Sequence, residues 1–117
     1  MKALFVVFYL LLFNVEQGTS LKLSKDEIVL CIDNTATQQQ LLDYKSKLAE
    51  RKIIIDYNEV KRDAGNQISF IKISVDCGDG FKGSSSKALT EKDATVGFYR
   101  IYKANVSSPF GMQSKPL

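Results

Sequence analysis

The stretch Glu27-Ile28-Val29-Leu30-Cys31-Ile32-Asp33 decides how the rest of the chain is read. Ile28, Leu30 and Ile32 fall on one face of an extended segment and Val29 and Cys31 on the other. Both faces are apolar, which predicts a central strand. Asn34-Thr35-Ala36-Thr37 follows and signals a helix start. Thr35-x-x-Gln38 and Thr37-x-x-Gln40 both fit the capping-box spacing, in which a hydroxyl satisfies a free first-turn N–H. The predicted helix runs from about Ala36 to Lys52, with Leu41, Tyr44 and Leu48 as its inward stripe.

Downstream, Ile53-Ile54-Ile55-Asp56-Tyr57 reads as a second strand. Arg62 to Gln67 reads as a hairpin turn, and Ile68 to Cys77 as a third strand. That third strand alternates cleanly: Ile71, Ile73, Val75 and Cys77 face one way, Lys72, Ser74 and Asp76 the other. Gly78 to Ser86 is rich in Gly and Ser and reads as a mobile loop. Thr95 to Lys103 predicts a fourth, aromatic-rich strand, and Ala104 to Leu117 a loose tail.

These segments predict a single α+β domain over residues 21–103, with residues 104–117 as a flexible tail. Its core is β-α-β-β, half of a ferredoxin-like unit. One helix lies on a mixed sheet of three to four strands in the order 1-3-2, and the crossover makes the first two strands parallel. In that order Cys31 and Cys77 lie at opposite ends of neighbouring strands. They are too far apart for a disulfide, which needs Cα atoms within about 7 Å. Two unpaired thiols are therefore expected.

At the N-terminus, Met1-Lys2 precedes an apolar run of eleven residues, Ala3 to Phe13, and then small and polar residues ending Gly18-Thr19-Ser20. A spanning helix needs about 20 apolar residues. The run instead predicts a cleavable signal peptide over residues 1–20 and an exported protein: periplasmic, cell-surface or secreted. Membrane contact would then be transient, through that leader alone. Cleavage after Ser20 places small residues at both recognition positions. Cleavage after Gly18 places Glu16 at one of them.

The chain of 117 residues carries a formal net charge of +3 and no histidine. The mild charge argues against a nucleic-acid partner. Without imidazole, Ser-His-Asp and Cys-His catalysis and His-ligated zinc are excluded within this chain. Asp76-Cys77-Gly78-Asp79-Gly80 lacks the oxygen ligands of a calcium loop and reads as a polar turn. No metal, cofactor or catalytic residue is assigned.

The order of these segments resembles a known family. The stretches I-V-L-C-I-D-N-T, L-L-D-Y-K-S-K-L, R-K-I-I-I-D-Y-N-E-V-K-R-D-A-G-N-Q-I and I-K-I-S-V-D-C-G-D-G-F-K-G-S lie within Glu27 to Ser86. They are similar to an exported domain of Bacteroidetes. That domain also forms the C-terminal, extracytoplasmic end of membrane zinc metallopeptidases of the beta-lactam-sensor type. The resemblance implies a bacterial envelope location and a link to metallopeptidase signalling. It implies no catalytic role, and the peptidase's H-E-x-x-H helix is missing here.

The function expected from the sequence is therefore a non-enzymatic module that binds a protein or peptide. Two surfaces are candidates. Phe98, Tyr99, Arg100 and Tyr102 combine aromatics with Arg, as interface anchors do. Ile53 and Ile55 belong to a strand expected at a sheet edge, where an extended peptide adds by backbone hydrogen bonds. The alternatives are a small periplasmic or surface enzyme using Asp33, Asp56, Asp76 or Cys77, and an envelope structural component. The sequence does not specify the oligomeric state.

Overall fold

A computed structural model describes residues 18–115. Residues 1–17, most of the expected signal peptide, lie outside the described residues. The elements are β1 (Ser20–Leu23), β2 (Glu27–Ile32), α1 (Gln38–Glu50), β3 (Ile54–Arg62), β4 (Ile68–Asp76), β5 (Lys82–Ala88), β6 (Thr95–Ile101) and β7 (Phe110–Lys115). They form two antiparallel sheets, one ordered β1-β2-β6-β7 and the other β3-β4-β5.

This arrangement corrects the predicted parallel β-α-β-β sheet of order 1-3-2. The strand at 27–32 does not share a sheet with those at 54–62 and 68–76. A helical crossover makes two strands parallel only when both enter the same sheet. Here α1 carries the chain from one sheet to the other. The neighbours of β2 are β1 and β6, with Leu30 opposite Leu21 on one side and Phe98 on the other.

Three further expectations change. Residues 104–117, read as a loose tail, contribute β7, which pairs with β6 from Thr95–Lys115 to Arg100–Phe110. The glycine- and serine-rich stretch contributes β5, paired along β4. Residues 20–23, split between the expected leader and a polar lead-in, form β1.

The two sheets and the helix share one core. Ile28, Leu30 and Ile32 of β2, Val96 and Phe98 of β6, and Ile55, Ile71, Ile73 and Val75 of the other sheet are all buried. Leu41 and Leu48 bring the helix into the same cluster. Each such side chain contributes about 1.5–3 kcal/mol when fully removed from water. Gly97 sets the spacing between β2 and β6: a Cβ there would lie 1.8 Å from the Leu30 carbonyl oxygen. On the far side β5 and β7 run close together, Gly83 leaving room for Met112 and Phe110.

Of the two predicted capping spacings the structure uses Thr37 and Gln40, so α1 starts at Gln38 rather than Ala36 and ends at Glu50 rather than Lys52. Thr37 Oγ1 accepts from Gln40 N at 3.0 Å, and Gln40 Oε1 accepts from Thr37 N at 2.9 Å. The helix bridges the open flank between the sheets. Near its end Arg51 Nη2 donates to Ser24 O at 2.9 Å, and Ile53 N donates to Leu48 O at 3.0 Å. Among the described residues no helix is long and apolar enough to cross a membrane.

Candidate functional site

The backbone of β3 defines the site. Among the described residues β3 pairs with β4 alone, so its other side is a sheet edge. The direction of each peptide group follows from the ladder. Cys77 N donates to Phe81 O and Leu89 N donates to Ser69 O, so odd-numbered residues of β4 turn toward β5. In an antiparallel strand these directions alternate. Lys72, Ser74 and Asp76 therefore turn toward β3, where they face Glu59, Asp56 and Ile54.

That leaves the peptide groups of Ile55, Tyr57 and Val60 on the open side. Ile53 has the same parity, and its N–H is the one that Leu48 of the helix takes up. Among the described residues, none of Ile55, Tyr57 and Val60 makes a backbone hydrogen bond outside the ladders. A bulge at Asn58 separates two runs of this edge. The Asn58 side chain accepts a hydrogen bond from Ser74 Oγ, which fixes the bulge to β4.

Helix α1 forms the opposite wall. Tyr57 Oη donates to Leu41 O at 2.8 Å, and Lys45 Nζ lies 3.3 Å from Asp56 Oδ1. Burial, the main cause, and the nearby Tyr44 hold the Tyr57 phenol well above its usual range. It stays protonated and tethered to the helix. Between these contacts runs a groove of about 460 Å³, lined by Gln38, Leu41, Leu42 and Lys45 on one side and by residues 56–60 on the other. Leu42 is 47% exposed at its rim.

The candidate side chains named from sequence are not gathered together. Ile53 and Ile55 are fully buried, so that part of β3 offers its backbone rather than its apolar side chains. Phe98 is in the core. Tyr99 lies on the other face of β6, its ring against Gly111 and its hydroxyl 2.9 Å from Ser108 Oγ. Arg100 is 8% exposed and holds the two sheets together. Its Nη2 and Nε bond Asp79 Oδ2 at 2.6 and 3.2 Å, and its Nη1 donates to Ile101 O. The guanidinium stands 4.5 Å from each of the Phe81 and Tyr102 ring centroids. Tyr102 is the most exposed of the four.

The acids and thiols are dispersed as well. Asp76 and Asp56 share a shallow hollow on the outer face of the second sheet with Ser74, Lys82 and Ser84. Asp33 lies beyond β2, bonded to Thr19 and Thr35. Cys77 is buried, and burial first, then the Asp79 carboxylate, pushes its thiol up to about 11. Cys31 is half-buried and its thiol is also raised, chiefly by burial. Both cysteines are free, Cys31 in β2 and Cys77 directly after β4 of the other sheet, rather than at opposite ends of one sheet. Among the described residues no three of Cys, Asp and Glu gather to hold a metal ion.

The sequence reading missed the helix side of the groove. Leu42 carried the signal: an apolar residue beside, but outside, the inward stripe. No family model, curated protein or solved structure matches this chain.

Proposed function

We propose that this chain is an exported, non-enzymatic module that binds an extended protein segment in the groove between α1 and the free edge of β3. The open peptide groups of Ile55, Tyr57 and Val60 beside that groove carry the reading. An added strand would take its backbone hydrogen bonds from this edge. Its side chains would alternate between the helix wall, at Leu41 and Leu42, and the outer face, at Asp56 and Glu59. Affinity would come from main-chain pairing and selectivity from these flanking residues.

The test is selection of a randomised heptapeptide library on phage, followed by titration of the enriched peptides into ¹⁵N-labelled protein. The expected result is shifts concentrated at Ile55, Tyr57, Val60 and residues 38–45. Leu42→Asp should weaken binding about tenfold, since one apolar contact of about 1.4 kcal/mol is worth that factor. Shifts located elsewhere, or affinity unchanged by Leu42→Asp, would overturn the proposal.

A further inference from the structure

Thr19 and Ser20 bear on how the leader is removed. Thr19 Oγ1 donates to Asp33 Oδ1 at 2.8 Å and accepts from Asp33 N at 3.1 Å. The same carboxylate oxygen accepts from Thr35 N at 2.9 Å and Thr35 Oγ1 at 2.6 Å. Thr19 thus ties the start of β1 to the segment that leads into the helix cap. Ser20 follows as a residue of β1 opposite Cys31. A cut after Ser20, favoured by its small flanking residues, would strip the hydroxyl from Asp33 and shorten an already four-residue strand.

We infer that the leader is removed between Gly18 and Thr19, making Thr19 the first residue of the mature chain. This rests on the export reading. The step is hydrolysis by a membrane leader peptidase. One water adds across the Gly18–Thr19 bond, leaving a carboxylate on Gly18 and an α-ammonium on Thr19. Gly18 supplies the small residue at the cut, while Glu16 departs from the usual small residue two positions earlier. The new ammonium is three bonds from the hydroxyl that donates to Asp33, so it appears beside a carboxylate. Opposite charges at that range attract. A start at Leu21 would leave the Asp33 carboxylate with Thr35 but without Thr19 or the ammonium.

The experiment is secretion of the full chain from a bacterial host, with N-terminal sequencing and intact mass of the exported protein. The expected result is a chain that begins at Thr19. A chain that begins at Leu21 would overturn the inference and leave export standing. A chain that keeps Met1 would remove both. As a second arm, Thr19→Val in the full chain should leave the exported protein melting about 4–8 °C lower, the shift expected for losing one such bond in a domain of this size. An unchanged melting temperature would show that Asp33 does not need this hydroxyl, and would overturn the reason for retaining Thr19.

Discussion

Arg100 stands beside Phe98, Tyr99 and Tyr102 in the sequence, and of these Tyr102 has its ring 4.5 Å from the guanidinium. Phe81, which the sequence does not place next to it, lies as close, and Arg100 itself is buried, a side that strand parity decides. Asp79 neutralises it. The pair makes stability acid-sensitive. The hydrogen bond from Arg100 holds the Asp79 carboxyl below its ordinary value. A depressed folded-state value stabilises at pH above the usual carboxylate range, and the contribution is lost as pH falls through that depressed value. Asp79→Asn should cost about 1 kcal/mol at neutral pH, a modest figure because the carboxylate is partly open to water. It should also flatten the acid limb of a pH-dependent urea unfolding series. The thiols make a second test. Cys31 should react with a thiol reagent in the native protein, and Cys77 only on unfolding, since burial keeps it a neutral thiol. With its folded value raised, Cys77 contributes stability that is full at neutral pH and declines from about pH 9 to about 11.

At the scale of elements, α1 and β4 were legible because each carries a strong period. The Thr37–Gln40 cap and the Ile71, Ile73, Val75 face are both as read. β5 and β7 were not legible. Lys82-Gly83-Ser84-Ser85-Ser86-Lys87-Ala88 has no apolar alternation, and Phe110-Gly111-Met112-Gln113-Ser114-Lys115 has only two large apolar residues. Such strands are fixed by the ladders they join, and a single sequence does not display those partners. Gly97 is what lets β6 approach β2. Gly97→Ala should cost at least about 2–3 kcal/mol, measured as a lower urea midpoint with unchanged slope, because the atom in the way is backbone and does not rotate aside.

At the scale of the molecule, the wrong expectation was the pairing of segments rather than most of the segments themselves. Local pattern gives a strand its face, but neighbours are chosen by the whole chain. Of the three strands that escaped notice, β1 and β7 are the two edges of the sheet that holds β2, and β5 is an edge of the other. A chain ending at Pro109 therefore tests the architecture. As a mere tail, residues 110–117 would be dispensable. As the partner of β6, their loss should bare Phe98's side of the sheet and give a less stable, aggregation-prone protein by thermal scanning and light scattering. Of the candidate site, the short apolar run gave the strand at 53–57, its place at an edge had been expected from the overturned order 1-3-2, and the helix wall required the fold. The most direct measurement is amide hydrogen exchange along β3. With an open edge beside α1, Ile54 and Asp56 are protected while Ile55 and Tyr57 exchange quickly, an alternation residue by residue. Uniform protection from Ile54 to Tyr57 would mean that the outer side already has a partner, and would contradict a free docking edge.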